Sequence, residues 1–549
     1  MKRIAALFLA LLLVGNAAAF AESDDMWKAY DEPVDVLFIK AVNVTGDQVD
    51  YTHENPFISF IRDKLNINIK YKWVTTGDAY KQKVATMLAT NDLADVMVVD
   101  ATTMKQMYEA EQLEDLNQVW QDYADPFTKS QMGYGNSISF STGTINGELV
   151  GIPYCIPVYE TMHTLLLRSD WLKNLDLESP KSFEELEKIL YAFAQQDPDG
   201  NQANDTYAIG LNKNLYGDGF EMQTIANMMH AYPNAWIQKD GKILYGSVQP
   251  EMKAVLEKLA AWYKDGLIDP EFTVKTQEVE AELVPQEKLG AFTGVQWVSL
   301  MSDCIPSLWR SNENSAFEIH GVPELSVDDE PAKPIVYDNT SSFIVVRKGF
   351  EHPEAVMKIL NMVHKLGAGD AREYFANGDE FREVWDYFGW MPIMPESVHG
   401  NIVKWVNVNA ALEEGTDEKV QYNYNALNLY YNIKDFIINN DYRDASKPEN
   451  TDDLRGTAGY MYGLTFCGAN FGLATEYKDN DLLMYDMQGA TVTDAMADNQ
   501  ATLDKLELET FTRIITGEAD ISEFDTFVSQ WNLLGGEEIT ASLNELYGL

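Results

Sequence analysis

Cysteine is scarce in this chain: Cys155, Cys304 and Cys467 are all that 549 residues contain. Three thiols close at most one disulfide, which excludes a disulfide-stapled scaffold, and their spacing fits neither a metal nor a redox motif. Small buried hydrophobes is the plainer reading. Histidine is nearly as sparse. His53, His163, His230, His320, His352, His364 and His399 stand singly, and His53-Glu54 lacks a second histidine at zinc-binding spacing. Positive charge is the third shortage, with 41 Lys and Arg against 86 Asp and Glu and a formal net charge of −45. So acidic a chain repels nucleic acid and anionic lipid, and neither is expected as a partner. The charge favours solubility, and it disfavours a polyanionic ligand unless the site that binds it is locally basic.

Signatures of catalysis are also missing. There is no G-x-S-x-G elbow, no P-loop, no H-E-x-x-H and no G-x-G-x-x-G. A glycosidase would need a carboxylate pair, and nothing marks one pair out among the acidic residues. Long apolar runs are absent after the N-terminus, so a soluble mature chain is expected. The N-terminus itself has Lys2 and Arg3, an uncharged apolar run from Ile4 to Val14, then Ala19-Phe20-Ala21 before Glu22. This is the pattern of a cleavable signal peptide over residues 1–21. The apolar run is about half of the roughly 20 residues that span a bilayer, which disfavours the alternative of an uncleaved anchor.

What is present is core material. Hydrophobic residues make up 46% and aromatics 12% of the chain, which describes a globular protein, and its length calls for at least two lobes. Val34–Ile39 reads as a strand, 57–65 as a helix opened by Asn55-Pro56, and 67–74 as a second strand. Residues 76–89 carry Tyr80, Val84, Met87 and Leu88 on one helical face. Asp95–Asp100 is a short buried strand ending in a carboxylate. This alternation predicts an α/β fold with a parallel, doubly wound sheet. Ligands in such sheets sit beyond the carboxyl ends of strands, so Asp100 is a candidate contact; a helix N-cap is its alternative role. Asn146-Gly147 predicts a tight turn between short strands. Ser182 and Glu185 predict a capping box for a helix to Gln195. Further helices are expected at 250–264, from His352-Pro353 to 366, and at 501–516, 520–533 and 539–547. Further strands are expected at 164–167, 289–292 and 343–346.

Two features point to ligands. In Asp197-Pro-Asp199-Gly-Asn201-Gln-Ala203-Asn-Asp205, oxygen-bearing side chains fall at relative positions 1, 3, 5 and 9, with the Ala203 carbonyl at 7. A loop curling round Ca²⁺ presents alternate residues inward in this way. It departs from the EF-hand in having glycine at position 4 and Ala208 at position 12, and an Asp/Asn/Gly turn is the alternative. The second feature is 12 Trp and 28 Tyr. Tyr154, Tyr159, Tyr216, Trp236, Trp297, Trp309, Trp390 and Trp405 sit beside Gly, Pro or polar residues, outside periodic stripes. Aromatic planes flanked by a few polar groups suit the C–H faces and hydroxyls of sugars, although ordinary packing is the favoured explanation of any single one.

Several segments, in order along the chain, resemble the extracellular solute-binding proteins of carbohydrate ABC importers, notably the subgroup of alginate and oligosaccharide binders and their lipoprotein relatives. They are Asn91–Val96, Asn146–Tyr154, Leu167–Trp171 with Pro180–Glu185 and the Asp197–Asp205 loop, His352–Met357, Leu506–Gly517, and Phe524–Val528 through Gly535–Thr540 to Asn544. The resemblance implies a two-lobed, type II periplasmic-binding-protein clamshell. It places an N-lobe at 22–160 plus 344–488 and a C-lobe at 161–343 plus 489–549, with hinge crossovers near 157–162, 340–346 and 486–492. It implies a structural Ca²⁺ on Asp197, Asp199, Asn201, Ala203 and Asp205. Carried over by position, the ligand-binding residues would be Asp100, Tyr154, Tyr159, Gln296, Trp297, Asp338, Asn339, Trp390, Thr491 and Thr493. The implied protein is a non-catalytic monomer that captures an oligosaccharide and docks on an ABC permease. A secreted carbohydrate-active enzyme, a ligand-presenting sensory receptor, and a peptide or polyamine ligand are the alternatives. Many relatives carry a lipidated cysteine at the cleavage site; residues 11–22 contain none, so a periplasmic, untethered protein is expected, or else a secreted one.

Overall fold

A computed structural model describes residues 26–42, 56–133, 138–155, 157–301, 304–312, 314–338, 340, 342–368, 391–395, 397–398, 400–420, 426–427, 429–431, 433–434 and 470–549. The expectations at residues 1–21, Asn339, Trp390 and Cys467 lie outside the described residues. The strands used below are β1 Val34–Val42, β2 Ile67–Thr76, β3 Val96–Val99, β4 Ile152–Pro153, β5 Thr164–Arg168, β6 Tyr207–Ile209, β7 Leu289–Gly294, β8 Phe317–His320, β9 Ile335–Val336, β10 Phe343–Val346 and β11 Met484–Tyr485. The helices are α1 Pro56–Leu65, α2 Gly77–Thr90, α3 Ala101–Glu109, α4 Phe183–Gln195, α5 Glu251–Lys264, α6 Glu354–Ala368, α7 Gly400–Glu414, α8 Asn470–Asp479, α9 Asp494–Ile515, α10 Glu523–Trp531 and α11 Glu537–Tyr547.

The first sheet has the order β2-β1-β3-β10-β4. β1 runs parallel to β2 and β3, and β10 runs antiparallel to β3 and β4 with Phe343 opposite Val99. Its inner strands are continuous apolar runs because helices cover both faces. Successive side chains alternate between the faces. Val36, Phe38 and Ile344 pack with Phe57 and Ile61 of α1 and Val356 and Leu360 of α6. Ile39, Met97 and Phe343 pack with Val84 and Met87 of α2 and Met104 of α3. Each such fully buried side chain contributes about 2 kcal/mol relative to exposure.

The second sheet has the order β8-β5-β7-β6. β5 is antiparallel to both neighbours, and β6 is parallel to β7. One face buries Trp171, Phe193, Trp262, Phe511 and Trp531, drawing on α4, α5, α9 and α10. The other buries Leu166, Phe220, Phe292 and Leu308. The chain thus returns to the second sheet for its last three helices.

The chain crosses between the sheets from β4 to β5, from β9 to β10, and from β11 to α9. β9 and β11 pair in parallel, Val336 opposite Tyr485, so the second and third crossings are strapped together. Tyr159 and Met162 of the first crossing pack against Ile402 of α7 and against Ala474 and Tyr477 of α8. The second crossing ends before Phe343 instead of running through 340–346, because Phe343–Val346 is wholly buried and paired in the first sheet.

Local expectations hold with adjustments. Asn146 and Gly147 have φ of 51° and 86° and turn a hairpin between Thr144–Ile145 and Glu148–Leu149. The Ser182 side chain accepts a hydrogen bond from Glu185 N at 3.3 Å. The Glu185 carboxylate, however, accepts from Lys181 N and not from Ser182 N, so the box is shifted by one residue. β1 and β2 extend beyond 39 and 74 because they pair along their whole length. α9 starts at Asp494 and not at Ala501, since Thr493 caps it by accepting from Met496 N.

Candidate functional site

Strand direction defines a shared edge. Gly294, the last residue of β7, pairs with Thr164, the first of β5, and His320 at the end of β8 pairs with Leu165. β6 runs parallel to β7. The loops after β6, β7 and β8 therefore emerge beside the crossings. On the other side of the crossings stand the carboxyl ends of β1, β2 and β3. Open α/β sheets bind ligands at such edges.

Asp100 follows β3 and is exposed. Its Oδ1 accepts from Thr103 N at 2.7 Å, capping α3, so the helix-cap role is real. Tyr80 stands nearby and donates to Val98 O at 2.6 Å. Burial pushes its phenol up, reinforced by Asp100 and Tyr154. Tyr154 N donates to Ser342 O at 2.8 Å, tying the first crossing to the second, and its Oη accepts from Met394 N at 3.0 Å. Asp338 is half-buried and accepts from Thr340 N at 3.3 Å.

Two carboxylates at this edge had no place in the sequence reading. Asp486 accepts from Trp236 N at 2.9 Å, Gln488 N at 3.0 Å and Gly489 N at 3.1 Å. Burial pushes it up to about 6, with Asp338 adding to the shift and the backbone donors opposing it. Glu221 accepts from Thr224 N at 3.1 Å, from Gln223 N, and from the Thr224 hydroxyl at 2.6 Å, opening the helix Gln223–Met228. Gln223 in turn donates to the Tyr337 hydroxyl. The Asp486-Met-Gln-Gly turn was the available signal for the first of these.

Gln296 and Trp297 follow β7. Gln296 Oε1 is buried and has no hydrogen-bond partner among the described residues. Trp297 beside it is 39% exposed, which is unusual for so large an apolar surface. The exposed indole thus stands beside an amide whose oxygen is buried without a partner among the described residues.

The remaining positions fall elsewhere. Tyr159 is 8% exposed and packs inside the crossings, bonded to Tyr485. Thr491 and Thr493 line a cavity of about 610 Å³ between the two sheets' lobes, with Lys105, Thr142, Glu538 and Tyr547. Across it the Thr142 and Thr491 hydroxyls lie 3.3 Å apart and Lys105 pairs with Asp494. Tyr154, Gln296, Trp297 and Asp338 do not line this cavity. The structure thus divides the sequence-derived set between two places. Of the unusual aromatics, Tyr216 is committed to Glu507, and Trp236 is 1% exposed against Tyr245 and Trp531; both are core. Cys155 and Cys304 are buried free thiols pushed up to about 12 by burial.

In the Asp197–Asp205 loop, Asn201 Nδ2 donates to Asp199 at 2.7 Å and to Asp205 at 3.1 Å. Asp197 Oδ1 is buried without a hydrogen-bond partner among the described residues. Burial raises the Asp199 pKa, with Asp197 and Asp205 adding to the rise. Among the described residues no three His, Cys, Asp or Glu side chains are gathered at metal-holding geometry. The donor chemistry and the crowded charge suit a hard cation; the side chains are now bridged by the Asn201 amide.

The sequence model of the bacterial extracellular solute-binding protein family matches residues 53–363, more than half of the chain. Lipoprotein LipO of Bacillus subtilis is 22% identical over 503 residues, 90% of this chain and 89% of LipO. The alginate-binding protein AlgQ2, solved without calcium ion, superposes with a TM-score of 0.55 at 15% identity, covering 95% of this chain and 99% of its own. An EF-hand mutant of the S. pneumoniae ABC-transporter substrate-binding protein FusA, in complex with fructo-nystose, superposes with a TM-score of 0.58 at 14% identity, covering 94% and 99%.

Proposed function

The chain belongs to the bacterial extracellular solute-binding proteins, and we propose that it captures an oligosaccharide between two lobes and hands it to the membrane subunits of an ABC importer. Its fold is the two-lobed type II clamshell of that class. The observation that carries the oligosaccharide is Trp297 with Gln296. An exposed indole and a buried amide oxygen without a hydrogen-bond partner among the described residues stand at the crossing end of β7, with Asp100 of the other sheet across the crossings. Sugar C–H faces stack on the indole, and hydroxyls donate to the amide and carboxylates. The named ligands of AlgQ2 and FusA support this reading.

In this reading the lobes are residues 22–160 with 344–488 and residues 161–343 with 489–549. Ligand touching both lobes shifts an open–closed equilibrium. The contacts come from Asp100, Tyr154, Gln296, Trp297 and Asp338; Asn339 and Trp390, expected from the sequence, lie outside the described residues. Tyr159, Thr491 and Thr493 act through the crossings. The protein carries out no chemistry. It is exported, and we place it in the periplasm.

The Asp197–Asp205 loop would hold a structural Ca²⁺ through Asp197, Asp199, Asn201, Asp205 and the Ala203 carbonyl. The ion would neutralise the carboxylates that now raise the Asp199 pKa. Titration with CaCl₂ after chelation should raise Tm in the native chain and leave Asp199→Asn unmoved.

A thermal-shift screen of glycans tests the main reading. A ligand at a hundredfold excess over Kd adds about 2.7 kcal/mol of stability. A shift with an oligosaccharide that is recovered intact supports it. A shift with peptides alone, or shortened glycan products, overturns it.

A further inference from the structure

We infer that His163 is a positioning residue for the cleft: as an imidazolium it straps the first crossing to the loop beside Trp297, and raising the pH loosens that strap. The inference rests on the oligosaccharide reading only for what this loop borders, and its test needs no glycan. His163 is buried and immediately precedes β5, where the first crossing enters the second sheet. Its Nδ1 stands 3.0 Å from Thr161 O and its Nε2 stands 2.9 Å from Gly217 O. A neutral imidazole carries one N–H and one lone pair, whereas the charged ring carries two N–H groups. Two carbonyl oxygens, neither able to donate, therefore match the charged ring. In the neutral ring one nitrogen lone pair faces a carbonyl oxygen, and one of the two hydrogen bonds is lost.

Both acceptors sit where the cleft is held together. The Thr161 hydroxyl accepts from Tyr337 N at 2.8 Å, which joins the first crossing to the second. Gly217 lies in the loop after β6, whose other side is sewn to the end of β7. Val295 N donates to Asp218 O at 2.8 Å, Phe220 N donates to Thr293 O at 2.8 Å, and Gly219 bridges Gly294. Gln296 and Trp297 follow directly. Gly217 has a φ of 124°, a backbone conformation open to glycine and opposed by side chains, so the acceptor for Nε2 depends on glycine at this position. Other titratable side chains stand on the elements around the ring. Glu160 accepts from Asn401 Nδ2, and Tyr159 is bonded to Tyr485. Lys213 and Asp218 of the loop are exposed, Glu221 accepts from Thr224 N, and Tyr216 donates to Glu507 of α9. The Tyr337 hydroxyl accepts from Gln223, and His320 at the end of β8 pairs with Glu318. Among these groups Glu507 is the one that burial pushes up to about 7, so its titration has to be separated from that of the ring.

The test is hydrogen–deuterium exchange of the full mature chain, without glycan, read by mass spectrometry on the peptide spanning residues 212–220. It is run at about pH 5.5 and about pH 8.5, bracketing the range in which histidines ordinarily change charge, with intrinsic exchange rates corrected for pH. Protection reports how often the loop opens. The expected result is protection that falls severalfold as pH rises, in the native chain and in Glu507→Gln alike. In His163→Gln, whose amide offers a donor at every pH, protection should not vary with pH. Gly217→Ala moves the acceptor and should flatten the dependence in the same way. Protection that stays constant with pH in Glu507→Gln, or a fall of equal size in His163→Gln, overturns the inference. Should His163→Gln not fold, Glu507→Gln by itself still decides: a fall supports the strap and a flat profile removes it. A flat profile leaves the oligosaccharide reading standing, because no glycan takes part; that reading fails in the thermal-shift screen instead.

Discussion

His364 of α6 and Glu507 of α9 are buried ionisable side chains in opposite lobes. His364 Nε2 has no hydrogen-bond partner among the described residues, and burial pushes the imidazole down to about 4. The fold therefore favours its neutral form. The associated stability is complete above the unfolded value near 6.5 and is lost as pH falls toward 4, by roughly 3 kcal/mol in total. His364→Leu should flatten the urea-unfolding midpoint across that window; an unchanged slope would refute the assignment. Glu507 accepts from the hydroxyls of Tyr216, Tyr245 and Ser247, and burial pushes it up to about 7 despite them. Here the folded state holds the proton more tightly than the unfolded chain. Stability contributed by Glu507 is full below about 4.5 and declines as pH rises through 7. Glu507→Gln should remove that decline, read as a Tm gain over the native chain at pH 8 that disappears at pH 4.5.

Helix α4 shows how local signals act on an element. Ser182 supplies an acceptor to an otherwise unpaired N–H, and Glu184 and Glu185 in the first turn favour the positive end of the helix. Ser182→Ala should cost about 1 kcal/mol and Ser182→Asp should restore it, both measured by chemical denaturation. Lys105–Asp494 joins elements of different lobes, but its partners are 38% and 89% exposed. Asp494→Ala should therefore change stability by less than about 1 kcal/mol; a larger loss in Tm would mean the pair locks the lobes. Elements were legible where one periodicity dominated. The buried runs at 96–99 and 343–346 and the apolar faces of α4 and α5 stand out because both sheet faces or one helix face must be apolar. β6 and β8 were not legible. They are three and four residues long, and such short runs gain their strand character only from pairing with β7 and β5.

For the whole molecule, the clamshell reading makes a prediction that no single residue carries. A protein of this size has a radius of gyration near roughly 24 Å when compact. Adding a bound glycan should lower the value seen by small-angle scattering, because ligand contacts to both lobes draw them together. A ligand that binds tightly without compaction would mean that it occupies one lobe only.

The amino-acid sequence by itself determined the α/β alternation, the aromatic and acidic composition, the positions of turns such as Asn146-Gly147, and the family resemblance. These are local or compositional, so nearest neighbours and periodicity express them. Only the tertiary structure decided which aromatics remain free. Trp236 and Trp297 look alike in sequence, yet one is sealed under Tyr245 and Trp531 and the other lies open at the end of β7. It also brought Asp338 and Asp486, 148 residues apart, within electrostatic reach. Both outcomes depend on three crossings closing against each other, a long-range arrangement that no local pattern encodes.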